Sequence, residues 1–299
     1  MGARRCVPLP HRIDVARTLG PLRVGRHDPT TLLGADTVLR AMRTPEGPAT
    51  LRAEHRGDRF DVEAWGPGAD WALHAAPGLL GCLDDPSGLR PHHPAVERAV
   101  RLLPGLCLPR TGLVVEALVA AVLGQRVTGF EARRSFRLLV ERWGEPAPGP
   151  GRLTLLPDVA VIADLGYYDL HVIGLERTRA EALGRVAAQA GRLQHAVDGD
   201  PAALRTRVEA IPGVGRWTSA EVARIALGDA DAVRVGDHNL KHLVSWALAG
   251  EPRGTDERML ELLEPYDGQR GRACGLLEAA GLHAPRRGPR RRIEPTAPR

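Results

Sequence analysis

The segment 212–217, Pro-Gly-Val-Gly-Arg-Trp, predicts a tight turn between two helices. Its two glycines can take the positive φ angles that other residues rarely adopt. Residues 217–227 continue as a helical pattern, so the first N–H groups of that helix can face outward and bind an anion. Asp237 follows Trp217 by 20 residues and opens a second helical pattern over 237–244. The chain therefore joins an anion-holding turn to a carboxylate at the start of a helix.

Length and composition favour a soluble protein with more than one domain. With 299 residues, 43% of them hydrophobic, the chain can bury a sizeable core and form two or three domains. It has no run of about 18 apolar residues that would span a membrane. Its first residues also lack the apolar stretch of a secretory signal. We therefore expect a cytoplasmic protein without membrane association.

The cysteines and the charge narrow the class of partner. Cys6, Cys82, Cys107 and Cys274 are too scattered for a Cys-x-x-Cys clip, which excludes a zinc ribbon or a closely spaced iron–sulfur cluster. A net charge of +5 and a pI of about 9.5 fit a polyanionic partner. An arginine-rich composition spread over solvated faces explains the same charge equally well.

Residues 1–108 form a first unit with the patterns of a sheet. Residues 51–55 and 60–65 alternate apolar with polar side chains on either side of a short turn, which predicts a β-hairpin. Residues 13–16 indicate a further strand, and residues 36–42 indicate a helix. This unit is therefore expected to be a mixed α/β domain.

Residues 109–283 follow a helical period instead. Four aliphatic residues between 115 and 122 share one helical face, and a glycine ends that helix. Four side chains are placed to start further helices, two of them in capping boxes that Glu131 and Glu181 complete. These four are Thr128, Thr178, Asp200 and Thr255. The arginine-rich residues 284–299 are expected to be a disordered basic tail.

Four segments of the second half have a distinctive order. They are Ala-Val-Leu-Gly-Gln at 121–125, the turn at 212–217, Gly-Asp at 236–237 and Pro-Tyr-Asp-Gly-Gln-Arg-Gly-Arg-Ala at 265–273. Together they resemble the helix-hairpin-helix DNA glycosylases, and within them the 3-methyladenine-DNA glycosylase II branch. The resemblance covers about residues 110–282. It implies an α+β fold, in which an N-terminal mixed α/β sheet domain precedes a mainly helical region of two lobes.

The resemblance implies that Asp237 is the catalytic residue. As a base leaves the deoxyribose, positive charge builds on the sugar, and one fixed carboxylate near C1′ can stabilise that charge or polarise water. A helix N-terminus favours the ionised carboxylate that this role needs. From the pattern alone, Asp237 is equally well a simple N-cap of its helix.

The resemblance assigns the grip on DNA to the turn, whose backbone N–H groups would hold a phosphate. The residues assigned to this grip are Gly213, Val214, Gly215, Arg216 and Thr218. The hairpin carbonyls could also bind a monovalent cation, and no other cofactor is implied. Arg126 stands where relatives place a residue that fills the gap left by an extruded nucleotide, although an ordinary surface arginine also fits.

A pocket for the extruded base is implied around Trp217 and Tyr266. Aromatic faces attract an electron-poor methylated base, and both positions are aromatic in this branch. Gln125, which follows the glycine at the end of the earlier motif, is assigned to the same pocket. Trp217 also fits a core position.

Two residues depart from the branch and make the expected pocket more polar. Glu221 and His238 stand where the branch has aromatic residues. Glu221 could recognise an exocyclic amine or a cationic purine, or it could pair with Arg224 or Arg216. His238 and His242 share a helical face, but without a further ligand nearby no metal site is predicted.

The sequence thus predicts a monofunctional glycosylase that hydrolyses alkylated purines out of damaged double-stranded DNA in the nucleoid, with no obligate protein partner. A lyase would need a lysine amine, and lyase relatives carry that lysine at the position of Trp217. The one lysine here, Lys241, is expected to pair with Asp237 one helical turn away. Two alternatives are removal of oxidised, deaminated or bulky bases by the same scaffold, and DNA binding without catalysis.

Overall fold

The structure is a computed structural model that describes residues 2–194 and 200–285. It has an α+β fold, in which a five-stranded antiparallel sheet precedes a long helical region, and this confirms the predicted fold class. Nearly all of the predicted basic tail lies outside the described residues. Among the helices of the described part, none is both long and apolar enough to cross a membrane.

The sheet is formed near the N-terminus. Its strands are β1 Ala3–Pro8, β2 Thr31–Leu33, β3 Thr37–Thr44, β4 Gly47–His55 and β5 Arg59–Trp65, and their order is β1-β5-β4-β3-β2. The predicted hairpin is confirmed, since His55 pairs with Phe60 across a turn in which Gly57 has a φ of +74°. The sheet packs against helix α2, Ala69–Leu79, around a core that includes Leu51.

Two predictions for this unit are wrong. Residues 13–16 do not form a strand, because Asp14 accepts a hydrogen bond from the backbone of the following helix, α1, Val15–Leu19, and caps it. Residues 36–42 form most of β3 rather than a helix. Residues 38, 40 and 42 are all buried, which is the two-residue period of a strand. The apolar residues of this segment also fit a helical spacing, so its sequence alone was ambiguous.

Helices dominate the chain from residue 94 onward. They are α3 Pro94–Leu102, α4 Val114–Leu123, α5 Gly129–Trp143, α6 Val159–Asp164, α7 Tyr167–His171, α8 Arg177–Ala188, α9 Ala190–Gln194, α10 Pro201–Glu209, α11 Arg216–Val222, α12 Leu240–Ala249, α13 Asp256–Leu263 and α14 Arg270–Ala279. Helix α11 continues into a π-helical turn, Ala223–Leu227. A first helical lobe packs α4, α5, α8, α10 and α11 around one core, and a second lobe packs α12, α13 and α14 around another.

Helix α3 packs with the second lobe although it belongs to the predicted first unit. Val96 is fully buried against residues of that lobe, including Leu240, and Ala99 packs against Leu276. The predicted unit 1–108 therefore ends with a helix that packs in the second lobe.

Three of the four predicted helix starts are confirmed. The Thr128 hydroxyl accepts a hydrogen bond from the N–H of Glu131 at 3.3 Å, and the Glu131 carboxylate accepts one from the N–H of Thr128 at 2.8 Å. Helices also begin after Asp200 and Thr255. The box at Thr178 is wrong, because α8 begins at Arg177 with Glu176 as its N-cap.

Candidate active site and DNA-binding surface

The predicted turn lies between α10 and α11, and its two glycines differ in whether the fold requires glycine. Gly213 has a φ of +94°, and a Cβ there would lie 2.8 Å from the Cβ of Ala182 in α8, so glycine is required. Gly215 has an ordinary φ of −109°, and a Cβ there would meet no atom of the described structure within 4 Å. Val214 between them is buried in the first lobe and fixes the turn to it.

Gln125 braces this turn from the end of α4. Its Nε2 donates to the carbonyl oxygen of Gly213 at 2.9 Å and to Oγ1 of Thr218 at 2.8 Å. Thr218 is only 2% exposed. The amide nitrogen of Gln125 thus positions the turn, and the buried Thr218 receives that contact. Their predicted contacts with base and DNA stay predictions.

Three carbonyl oxygens of the turn have hydrogen-bond partners within the protein, and the monovalent cation that the resemblance allows stays a prediction. The carbonyl oxygens of Ile211, Pro212 and Gly213 all accept hydrogen bonds from the protein. The bond to Pro212 comes from the guanidinium of Arg185 at 3.2 Å. A cation bound by these oxygens would stand beside the positive charge of Arg185, and the two charges would repel each other.

Asp237 is held by three hydrogen bonds. Its Oδ1 accepts from the N–H of Asn239 at 2.8 Å and from that of Leu240 at 3.0 Å, while Oδ2 accepts from Nε1 of Trp217 at 3.1 Å. Helix α12 begins at Leu240, three residues later than predicted, because Asp237 caps a loop turn ahead of the helix. One oxygen thus has the capping role, and the other faces the indole of α11.

The surroundings keep Asp237 ionised. Burial works against its charge, but the guanidinium of Arg234 and the hydrogen bonds from Asn239, Leu240 and Trp217 hold the pKa of this carboxyl below its usual range. Sequence reasoning missed Arg234. The signal available was a lone cation three residues before Asp237, with valines on both sides.

A cavity of about 250 Å³ lies beside Trp217, between the sheet and the first lobe. Its wall is mainly apolar, with Ala117, Ala121 and Phe136 among its residues. Two acidic residues also line it, Glu221 from α11 and Glu116 from α4. Glu116 was missed by sequence reasoning, although one acid inside the apolar stretch Val-Val-Glu-Ala-Leu-Val was a sign that a carboxylate is buried there. Trp217 thus contacts both the cavity and the carboxylate of Asp237.

Glu221 is fixed by two arginines. Oε1 lies 2.6 Å from Nη2 of Arg224, and Oε2 lies 3.8 Å from Nε of Arg234. Burial by itself raises the pKa of Glu221, but the two guanidiniums outweigh this effect and lower the pKa to about 2. The predicted pair with Arg224 is confirmed, whereas the exposed Arg216 is not its partner. Arg234 therefore links Glu221 to Asp237 electrostatically.

Of two further residues predicted for the pocket, one lies in the core of the second lobe and the other on the surface. Tyr266 is 2% exposed in the core of the second lobe, and its hydroxyl lies 2.8 Å from Nδ1 of His93. The prediction that Tyr266 stacks on a base is therefore wrong, because its ring already packs inside the protein. His238 is exposed and has its ring 6.3 Å from that of His242. Within the described residues, no group of three or more potential ligands could hold a metal.

Arg126 and Arg216 lie exposed at the two segments that Gln125 joins. Arg126 follows Gln125 in the loop between α4 and α5 and has a φ of +55°, a left-handed conformation that costs energy for a residue other than glycine. Arg216 is the first residue of α11. Lys241 does not pair with Asp237 as predicted, since its Nζ lies 3.5 Å from Oδ2 of Asp256.

Comparisons with known sequences match part of the chain. No family model matches it. A relative from Mycobacterium tuberculosis, named probable bifunctional transcriptional activator/DNA repair enzyme AlkA, is 30% identical over 152 residues, which are 50% of this chain and 30% of the relative. DNA-3-methyladenine glycosylase 2 of Escherichia coli is 30% identical over 127 residues, which are 42% of this chain and 45% of that protein. The chain thus spans less than half the length of these curated relatives.

Solved structures match the fold over nearly the whole chain. The 3-methyladenine DNA-glycosylase from Archaeoglobus fulgidus has a TM-score of 0.77 at 18% identity, over 92% of this chain and 98% of that one. An 8-oxoguanine glycosylase/lyase from Clostridium acetobutylicum, in complex with double-stranded DNA, has a TM-score of 0.72 at 11% identity, over 94% of this chain and 97% of that one. At these identities the likeness shows a shared fold.

The fold, with a glycine turn placed beside a carboxylate, is the fold of these solved glycosylase structures. The sequence relatives point to the same group of proteins. Over the matched parts the chain is similar in sequence to DNA-3-methyladenine glycosylase 2 and its relatives, and nearly its whole length is similar in fold to a 3-methyladenine DNA-glycosylase, which agrees with the resemblance of its motifs.

Proposed function

We propose that this protein is a monofunctional DNA glycosylase that extrudes a damaged nucleotide from double-stranded DNA and hydrolyses its N-glycosidic bond, with alkylated purines as substrates. The observation that carries the proposal is the 3.1 Å hydrogen bond from Nε1 of Trp217 to Oδ2 of Asp237. It places an ionised carboxylate against the helix that begins at the hairpin turn. An extruded nucleotide has to reach both the turn and the carboxylate at once.

Asp237 supplies the charge that this chemistry needs. As the glycosidic bond lengthens, positive charge develops on the deoxyribose, and a fixed carboxylate stabilises it without reorganising. Alkylation at N3 or N7 makes the base a good leaving group, so one carboxylate is adequate without a separate general acid. A water molecule polarised by Asp237 completes the hydrolysis and leaves an abasic site.

The turn and the α4–α5 loop supply the grip on DNA. Gly215 has no internal reason to be glycine, which fits a phosphate that approaches its backbone closely. Arg216 beside it is exposed and can pair with the same strand. Arg126, exposed in a left-handed conformation at the loop tip, is suited to enter the gap left by the extruded nucleotide.

Hydrolysis rather than lyase chemistry is supported by the placement of the only lysine. Lys241 Nζ lies 3.5 Å from Asp256, outside the cavity wall beside Trp217. A lyase needs a lysine amine that attacks C1′ of the sugar. Trp217 occupies the position at which lyase relatives carry that lysine.

The test is excision by an Asp237→Asn variant on duplexes that contain 7-methylguanine. Asparagine keeps the capping hydrogen bonds and removes the negative charge. We expect binding to a duplex with a tetrahydrofuran abasic analogue to persist, while the single-turnover excision rate falls by about 100-fold or more. Asp14→Asn is the matched control, since Asp14 caps α1 in the sheet domain. Undiminished excision by Asp237→Asn would reject the assignment. DNA binding without excision of any damaged base by the wild-type protein would leave a non-catalytic DNA-binding protein.

A further inference from the structure

The cavity beside Trp217 contains a carboxylate that is fixed from the sheet domain. Glu116 has a side chain that is only 13% exposed, and its Oε2 accepts a hydrogen bond from Nη2 of Arg40 in β3 at 3.1 Å. Its Oε1 accepts one from the backbone N–H of Arg43 at 2.8 Å. Nη1 of Arg40 donates in turn to the carbonyl oxygen of Leu22 at 2.8 Å. The carboxylate therefore has one defined orientation at the cavity wall.

Burying Arg40 costs free energy of folding. The residue is 7% exposed, and its Nε is buried with no hydrogen-bond partner among the described atoms. A contact that served only to join the sheet to the first lobe could be replaced by well-packed apolar residues with no loss of stability. A buried ion pair that leaves one polar atom without a partner is instead expected where a ligand is recognised.

A second acidic residue lines the same cavity, and its carboxylate is also fixed. Glu221 is oriented by Arg224 through two hydrogen bonds, of 3.2 and 2.6 Å. A carboxylate has about four acceptor positions, so both Glu116 and Glu221 can still accept hydrogen bonds from a ligand. The indole of Trp217 on the wall supplies an aromatic surface.

The remaining features of the cavity limit what can enter. Its volume of about 250 Å³ is below the range of about 300 Å³ and more that drug-sized ligands use, so it suits one nucleobase. Two further arginines line it, Arg23 and Arg133. Arg133 is exposed, which places it at the mouth, where the phosphate and sugar of an extruded nucleotide would lie.

From these contacts we infer that the cavity selects purines that carry an exocyclic amine, because Glu116 and Glu221 offer fixed acceptors for its N–H groups. The inference rests on the proposed glycosylase function and names the feature of the base that the site reads. A site built to bond a polar group rejects an analogue without it far more strongly than an apolar pocket can. The sheet domain thereby takes part in substrate choice through Arg40.

The test compares two pairs of lesions that differ only by one amine. 7-Methylguanine is paired with 7-methylhypoxanthine, and 7-methyladenine with 7-methylpurine, each in the same duplex sequence. We expect the wild-type protein to excise the amine-bearing member of at least one pair about tenfold faster or more in single-turnover assays. Glu116→Gln is expected to reduce that ratio severalfold, because an amide offers fewer acceptor positions and no charge.

Two further variants keep the test decisive if Glu116→Gln folds poorly. Arg40→Met combined with Glu116→Leu replaces the whole ion pair by apolar side chains and should bring the ratio close to one. Arg52→Lys is the matched control, because its side chain pairs with Glu54 and Glu63 on the sheet and does not line the cavity. Its ratio should equal that of the wild type.

The outcomes separate the inference from the function on which it rests. If the wild-type protein excises no damaged base, the proposed function fails. If it excises both members of each pair at equal rates, the inference is overturned while the function stands. The inference also fails if Glu116→Gln and the double variant both retain the wild-type ratio.

Discussion

At the scale of single residues, the site depends on how Asp237 keeps its charge. Arg234 and three hydrogen bonds outweigh the effect of burial on this carboxyl. Only one of these bonds, from the indole of Trp217, comes from the first lobe. The indole N–H of Trp217 is therefore the one hydrogen bond among these three that couples the charge of the proposed catalytic group to α11.

Replacing Trp217 by phenylalanine should reveal this coupling. The variant keeps an aromatic ring and removes the indole N–H, so the pKa of Asp237 rises towards its ordinary value. Because the ionised form is the active one, the acid limb of the excision rate should move to higher pH. A single-turnover pH–rate profile measures this shift. Trp246→Phe, a change of a partly exposed tryptophan in α12, should leave the limb in place.

The low pKa of Glu221 implies that this residue stabilises the fold in a pH-dependent way. Its folded value of about 2 lies below an unfolded value of about 4.3, so ionised Glu221 stabilises the fold above about pH 4.3, and this contribution is lost as the pH falls towards 2. A shift of this size corresponds to up to about 3 kcal/mol. Urea unfolding should therefore show Glu221→Gln well below the wild type at pH 6 and a much smaller gap near pH 2.5. If the difference in free energy of unfolding between wild type and Glu221→Gln did not change with pH, the low pKa of Glu221 would be contradicted.

Sequence reasoning located several of these residues and misplaced others for a physical reason. The pair of Glu221 with Arg224 could be predicted because it is local, three residues apart on one helix. Tyr266 could not be excluded from the pocket, because the partner of its hydroxyl, His93, lies 173 residues away in the sequence. Arg40 and Glu116 meet only after two domains fold together.

At the scale of elements, the hairpin and the α4–α5 loop form one braced unit through Gln125. The glycine turn and the capping box at Thr128 were both predictable, since their signals are short range. The box at Thr178 failed because a tertiary contact decides where α8 starts. Arg179, 5% exposed, donates to the carbonyl oxygens of Leu123 and Gly174 and fixes the first turn of that helix.

The two glycines of the hairpin should respond differently to alanine. Gly213→Ala combines a forbidden φ with a contact at 2.8 Å, so we expect it to lower the free energy of unfolding by about 1–3 kcal/mol. Gly215→Ala meets no neighbour and should change stability by less than about 0.5 kcal/mol.

Binding to a duplex with an abasic analogue completes this comparison. If a phosphate approaches the backbone at Gly215, the added methyl group should weaken affinity about tenfold, although the variant is as stable as the wild type. Denaturant unfolding and fluorescence anisotropy measure the two effects separately. Equal affinity for Gly215→Ala and wild type would place the phosphate elsewhere.

At the scale of the whole molecule, the order of a sheet followed by helices was predictable, while the packing of the pieces was not. The fold class follows from local periods, and the hairpin β4–β5 is a contact between neighbours in sequence. Strand β1 pairs with β5 and α3 packs with the second lobe, and both contacts join distant segments whose local patterns are unspecific. The boundary drawn at residue 108 therefore follows composition more closely than packing.

The whole fold also determines how the thiols react. Burial raises the pKa of Cys82 to about 11 and those of Cys107 and Cys274 to about 12, whereas Cys6 is exposed. Thiolates are the reactive form, so the native protein should release one equivalent of thionitrobenzoate rapidly from Ellman's reagent and the rest only on unfolding. Cys6→Ser should abolish the rapid phase. Two or more rapid equivalents in the native protein would show that a buried thiol is accessible.

The contact between Arg40 and Glu116 makes the residue at position 116 depend on the presence of the sheet. A descendant that discards the sheet loses both hydrogen-bond partners of Glu116 and uncovers the face of α4 that carries this acid. The carboxylate is then solvated, so nothing in the remaining fold requires an acid there. Among shortened descendants, position 116 should therefore vary freely, whereas descendants that keep Arg40 should keep the acid.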